Sequence, residues 1–223
     1  TGMGPRGDVI AEADWCVGEF MKTLEAEGLL ENTLIVLTSD NGPVLNDGYY
    51  DEAVEKLGEH TPAGPFRGGK YSLFEAGTHV PLVTYWKGNI EPGTSEALVC
   101  QVDLLAALAG ADARQGDSED LLGAFLGQSG EGRETLVIEA TSRTAFRKGD
   151  WVLIPPYAGP ATNTQVDIEL GNSEVFQLYN LREDIGQQNN LAGTRSGKLQ
   201  EMVREFEQIR GKDYGKIQAL ELK

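Results

Sequence analysis

Five residues within one glycine-rich stretch have types and spacings suited to chemistry: Asp40, Asn41, His60, Arg67 and Lys70. Asp40 and Asn41 are adjacent, just after an apolar run that ends at Thr38. A carboxylate beside an amide oxygen suits a hard cation, Ca²⁺ or Mg²⁺. Two oxygens cannot complete a shell of about six ligands, so such a site needs donors from elsewhere. The competing reading is a turn, because Asn41-Gly42 is the favoured centre of a type I′ hairpin. That reading fits poorly: Pro43 follows directly, and "VLNDGYYDE" offers no alternating return strand.

The second cluster is "PFRGGKYSLFEAG". Gly68-Gly69 lets the backbone turn tightly and approach a ligand, and Lys70 can then present a compact charge with three donors to an oxyanion. The spacing is not that of a phosphate-cradling P-loop. A solvated surface lysine is the plainer alternative, and for Arg67 the alternative to a substrate contact is a structural ion pair. His60 has the chemistry of a proton donor or substrate contact. His79 opens an apolar segment and reads as structural.

These residues sit between elements that must position them. Asp8 is placed to cap a helix running to about Glu27, with Ile10, Ala13, Val17, Phe20, Met21 and Leu24 on one face and Gly28 as its stop. The same position completes an Arg6-Gly7-Asp8 triplet, for which capping is the simpler use. "TLIVLTS" reads as a strand, continuously apolar, as expected of a parallel strand covered on both faces. The 38 residues between Asp40 and His79 show little periodicity. A loop longer than about 12–15 residues is uncommon in a compact domain and is often functional. It also begins where open α/β sheets place their ligands, at a strand's C-terminal end. "HVPLVTYW" is the next strand, and Asp103 is placed to cap a short helix ending at Gly110.

The pattern changes after about Gly127. "RETLVIEA", "TAFRKGDWVLIP" and "EVFQLYNL" read as strands, with Lys148-Gly149-Asp150 as a hairpin turn. A final helix over Ser196 to Arg210 carries Leu199, Met202, Val203 and Phe206 on one face. The polar stretch "GADARQGDSED" connects the halves. The fold class expected is α/β, with a small C-terminal antiparallel sheet packed by a helix.

Composition narrows the partners. The 223 residues carry a net charge of −16, which argues against nucleic acid or an anionic membrane surface. No apolar run reaches the ~18 residues of a membrane span, and no signal peptide is visible in this chain. Only two cysteines occur, Cys16 and Cys100, both expected as buried free thiols, and there is no N-x-Ser/Thr acceptor.

Taken in order, "NTLIVLTSDNG", "HTPAGPFRGGKYSLFEAGTHVPLVTYW", "DLLAALAG" and "FQLYNLREDIGQQNNLA" resemble the C-terminal half of the type I sulfatases, arylsulfatase-like enzymes of the alkaline phosphatase superfamily. The resemblance implies a partial alkaline-phosphatase-like sandwich. Residues 1–128 would be the C-terminal part of the catalytic domain, and 129–223 a smaller subdomain. It implies Asp40 and Asn41 as calcium ligands, Lys70 as the sulfate contact and His60 as an active-site histidine of carbohydrate-directed members. Two departures accompany it. The family's E-G-G-x-R-V-P is here Glu75-Ala76-Gly77-Thr78-His79-Val80-Pro81, and neither cysteine lies in the C-x-[PA]-S-R motif that yields the formylglycine nucleophile.

The resemblance therefore implies part of a sulfuric ester hydrolase. Its substrate would be a sulfated sugar or another sulfate ester, its calcium shell is incomplete in this chain, and its nucleophile belongs to a missing N-terminal half. It also implies export, to a bacterial periplasm or the medium. Two alternatives stand beside it. A phosphodiesterase or phosphatase of the same superfamily commonly has Asp-His where this chain has Asp40-Asn41. A noncatalytic carbohydrate-binding or interaction module would keep the fold without the reaction.

Overall fold

The computed structural model describes residues 1–110 and 116–212. These form two compact units. The first comprises Thr1–Arg6, Ser39–Val80 and the chain from Thr135 onward; the second comprises Gly7–Thr38 and Pro81–Glu134. Packing thus cuts across a division near residue 128, because the long loop belongs with the C-terminal strands. Part of the polar connection, residues 111–115, lies outside the described residues.

The first unit is built on a four-stranded antiparallel sheet. Strands β3 (Thr135–Ala140), β4 (Arg143–Lys148) and β5 (Trp151–Ile154) form a meander, and β8 (Gln177–Asn180) pairs with β5. The β4–β5 turn falls where expected, with Lys148 opposite Trp151 and Gly149 at φ +54°. Between β5 and β8 a short ladder joins β6 (Thr162–Asn163) to β7 (Ile168–Glu169). Alternation along the strands gives the sheet two apolar faces. Phe146, Leu153 and Leu178 pack against Met202 and Phe206 of the helix Ser196–Arg210, which forms over the span the apolar spacing predicts. The Phe146 and Phe206 rings stack with centroids 5.1 Å apart. Ala145, Val152, Ile154 and Tyr179 on the opposite face are covered by Leu73 and Phe74 of the long loop. The loop is therefore a wall of the core, and its position is set by hydrophobic burial.

Helix α1 runs Gly4–Ala26, with Gly7 onward in the second unit. It starts four residues before Asp8, so Asp8 lies inside the helix and is not its cap. Its end is as read: Gly28 at φ +68° allows Leu29 N–H to reach Leu24 O at 2.8 Å and Gly28 N–H to reach Glu25 O at 3.0 Å. Strand β1 (Ile35–Thr38) pairs with β2 (Leu82–Tyr85), but antiparallel, with Ile35 opposite Tyr85. The expectation of a parallel strand covered on both faces is corrected here. A continuous apolar run reports that both faces want cover; it carries no information on a neighbour's direction. Cover is incomplete in this chain, since Leu37 and Val83, opposite one another, are both about half exposed. Val17, Phe20 and Leu24 on α1, with residues 34–37, line an open apolar groove.

Helix α2 (Asp103–Ala109) stops at Gly110 as read, but Asp103 does not cap it. Its fully buried carboxylate instead takes the Cys100 and Glu119 N–H groups and a two-pronged ion pair from Arg133. A four-residue helix, α3 (Leu122–Phe125), follows, and Ser196–Arg210 is α4. Cys16 and Cys100 are free thiols, half-buried. No described helix is long and apolar enough to cross a membrane.

Candidate functional site

The site residues lie in the first unit, and two backbone hydrogen bonds tie them together. Lys70 N–H donates to Pro43 O at 2.9 Å, and Gly42 N–H donates to Gly77 O at 2.9 Å. Asp-Asn-Gly-Pro and the R-G-G-K segment, separated by the 23 residues 44–66, thus become neighbours. The approach requires glycines on both sides. A Cβ on Gly42 would lie 1.6 Å from Ala76 O, and one on Gly69 would lie 2.5 Å from Pro43 O. The hairpin reading of Asn41-Gly42 ends here too. A type I′ turn needs positive φ at both central residues, and neither Asn41 nor Gly42 has it.

Asn41 is half-buried, and its side-chain N–H donates to Gly42 O at 2.9 Å. Pinning the nitrogen leaves the amide oxygen as the side chain's other polar atom. Asp40 next to it is exposed. Both oxygens are hard donors, so the pair fits a calcium ion. It fits only as part of a shell: no group of three or more His, Cys, Asp or Glu among the described residues could hold a metal. Lys70 is half-buried, with Nζ 5.5 Å from the centre of the Tyr71 ring. Tyr71 itself has φ +77°, a left-handed conformation rare for an aromatic residue and typical of functional loops. His60 is exposed, and its backbone N–H donates to Leu57 O; no hydrogen bond draws its side chain to Lys70.

Arg67 is used within the chain. Its Nε and Nη2 grip both carboxylate oxygens of Glu169 at 2.8 and 2.6 Å, and Nη1 donates to Gln187 O at 2.7 Å. Its guanidinium also lies 4.1 Å from the Phe74 ring centre. The structural ion pair is the arrangement present. The hydrogen bond from Arg67 holds the Glu169 carboxyl below its ordinary range, while burial pushes the Tyr179 phenol up. A depressed carboxyl contributes stability above its unfolded value and loses it as pH falls through the folded value. Glu169→Gln is therefore expected to lower stability at pH 6, by a difference that shrinks as pH falls below the ordinary carboxylate range, in urea midpoints followed across pH. Glu169 is half exposed, so the difference should be under about 1 kcal/mol.

A second network, not foreseen from spacing, surrounds Glu75. The Glu75 carboxylate is buried, and its Oε2 accepts from Arg147 Nη1 and His79 Nδ1, each at 2.9 Å. Its backbone N–H donates to Gln187 Oε1 at 2.8 Å. The His79 ring stacks on Phe66 with centroids 4.2 Å apart, which agrees with its structural reading. The one available signal was the glutamate of the E-x-G-x-x-V-P segment; nothing in the spacing points to Arg147 or Gln187.

The sulfatase family profile matches residues 3–111. An N-acetylgalactosamine-6-O-sulfatase of Bacteroides thetaiotaomicron is 42% identical over 217 residues, covering 94% of this chain and 42% of that protein. A solved structure from work on the metabolism of multiple glycosaminoglycans by the same organism superposes with a TM-score of 0.88 at 40% identity, over 93% of this chain and 45% of that one. The chain belongs to the sulfatase family. Human arylsulfatase A is 31% identical across 94% of this chain and 43% of its own length. This sulfatase chain therefore spans less than half the length of the relatives it matches, with the alkaline-phosphatase-like fold of its structural neighbours.

Proposed function

We propose that this chain is the portion of a sulfuric ester hydrolase that supplies Asp40 and Asn41 to a calcium shell and Lys70 to the sulfate group. The supporting observation is the pair of backbone hydrogen bonds that makes the two segments neighbours. Calcium bound there would act as a Lewis acid on a sulfate oxygen. Asn41 adds an oxygen without adding charge, which leaves such an ion electrophilic. Lys70 places a positive charge against the transferring group, where preorganised charge contributes most. His60 is assigned protonation of the leaving alcohol. A sulfated sugar is the substrate class proposed, on the likeness to the N-acetylgalactosamine-6-O-sulfatase. The partner is the N-terminal part, bringing the formylglycine nucleophile and the remaining ligands, and the half-exposed Leu37 and Val83 suit cover by it. Export completes the proposal.

The test compares the chain alone with the whole enzyme. The chain alone is expected to leave a chromogenic aryl sulfate and N-acetylgalactosamine 6-sulfate intact, whereas the protein carrying C-x-[PA]-S-R upstream should hydrolyse the sugar sulfate. In that protein Lys70→Ala should lower kcat on the order of 10²–10³-fold. Turnover by the chain alone, or an unchanged kcat in the variant, would overturn the assignment. An inactive whole protein that still binds the sugar would favour a noncatalytic module.

A further inference from the structure

We propose that Glu75 is the positioning residue of the site: its buried carboxylate fixes the turn that holds Asp40-Asn41 against the Lys70 segment. The purpose assigned to it rests on the functional reading above, but the mechanics stand on geometry alone.

The turn in question is the single 3-10 turn Glu75–Gly77. It is wholly buried and too short to hold itself. Its carbonyls are what the metal-binding segment leans on. Gly77 O accepts the Gly42 N–H, and Ala76 O is the atom a Gly42 side chain would strike. Any rotation of the turn therefore moves Gly42, and with it Asn41, whose amide is tied to Gly42 O.

Three contacts hold the turn, and all reach it from the C-terminal sheet and its following loop or from the loop itself. Arg147 lies on β4, on the face that packs against Leu73 and Phe74, and donates to Glu75 Oε2. Gln187, fully buried at φ +50°, accepts the Glu75 N–H. Arg67 O accepts the Ala76 N–H, and Arg67 is itself braced by Glu169 and by the Gln187 carbonyl. The Gln187 side-chain nitrogen is buried with no hydrogen-bond partner among the described residues. A buried donor left unsatisfied is rare, and here its oxygen serves the turn. The Glu75 carboxylate is the one charged group at this junction that the turn itself contributes. Arg147 neutralises it, His79 Nδ1 hydrogen-bonds it, and through Arg147 the rigid sheet becomes the reference against which the site is placed.

Amide hydrogen exchange on the isotope-labelled chain tests this without calcium or turnover. In Glu75→Gln, the Gly42 and Lys70 amides should exchange about tenfold faster, while Val152 and Leu178 in the sheet keep their rates. Arg147→Gln should accelerate the same two amides, and the double variant should go no further than either single one, because both act through one contact. Acceleration of all four amides alike would reduce Glu75 to a general stabiliser and overturn the proposal; so would an unchanged Gly42. Should Glu75→Gln fail to fold, Arg147→Lys carries the same comparison. Calcium added to the parent chain reports separately. Movement of the Asn41 side-chain amide signals supports the half-site. The same titration of the whole enzyme, which carries the remaining ligands, decides the half-site: no movement there would overturn it and leave the exchange result to decide the positioning role.

Discussion

Replacing Arg133 by methionine is expected to destabilise the second unit by about 3–5 kcal/mol, the range for leaving one member of a buried ion pair without the other. The Asp103 side chain is fully buried and that of Arg133 is 8% exposed. The guanidinium reaches Asp103 through Nε at 2.8 Å and through Nη2, reaches Glu119 through Nη1 at 3.0 Å, and caps the Asp117 carbonyl. Its backbone N–H donates to Leu98 O at 2.7 Å. One residue thus ties Leu98, Asp103, Asp117 and Glu119 to one another at the start of α2. Donating to the Asp103 carboxylate pushes the Arg133 guanidinium up still further, so it stays charged at any working pH. Methionine keeps much of the side-chain volume but strands the carboxylate. Asp103 would retain two N–H donors, from Cys100 and Glu119, which are too few for a dry anion. Urea denaturation should show the loss as a lower midpoint at unchanged slope. Adding Asp103→Leu to the variant should recover part of it, because two apolar groups can replace a buried pair at little net change. A single variant within 1 kcal/mol of the parent would contradict this account.

Asp103 also shows where reading the sequence stops. An aspartate at the head of an apolar repeat has the local signature of a cap. Nothing within a helical turn of it announces an arginine thirty residues on. Glu75 is the same case, with Arg147 seventy-two residues away. By contrast, α4 is legible to the residue, because Leu199, Met202, Val203 and Phe206 repeat at the helical period and the helix needs only one apolar face. The β4–β5 hairpin is legible because Gly149 is a local backbone requirement. Strand β1 is half legible: its apolar run marks it as a strand seeking cover on both faces, yet orientation depends on a partner that the run does not describe. The site divides likewise. The donor chemistry of Asp40, Asn41 and Lys70 is plain from their types. That they belong together came from resemblance, and the physical reason, two carbonyls accepting N–H groups across a glycine contact, emerges only from the fold.

That contact makes Gly42→Ala the most informative single change in the first unit. A methyl at Gly42 would sit 1.6 Å from Ala76 O, 2.7 Å from Ala76 C and 3.2 Å from Gly77 Cα. All three atoms are backbone, so no side-chain rotation relieves the overlap. The turn behind them is held by Glu75 and Gln187, so it cannot retreat without breaking buried hydrogen bonds. Overpacking costs about 1–3 kcal/mol where neighbours can adjust and more where they cannot. The expected loss is at or above the upper figure, seen as a lower urea midpoint, with separation of Gly42 N–H from Gly77 O seen as faster exchange of that amide. Gly18→Ala provides the opposite sign in the same chain. Gly18 lies inside α1, and apart from its chain neighbours and the adjacent helix backbone no atom comes within 4 Å of its would-be Cβ. Alanine there should stabilise by about 0.5–1 kcal/mol through helix propensity alone. If both substitutions proved neutral, the close approach of the Asp-Asn-Gly segment to the Glu75 turn would be wrong. If Gly42→Ala alone is severe, in the stability of the chain and in the activity of the whole enzyme, then the bare α-carbon at position 42 is what lets Asp40-Asn41 and Lys70 share one site, as the proposed function requires.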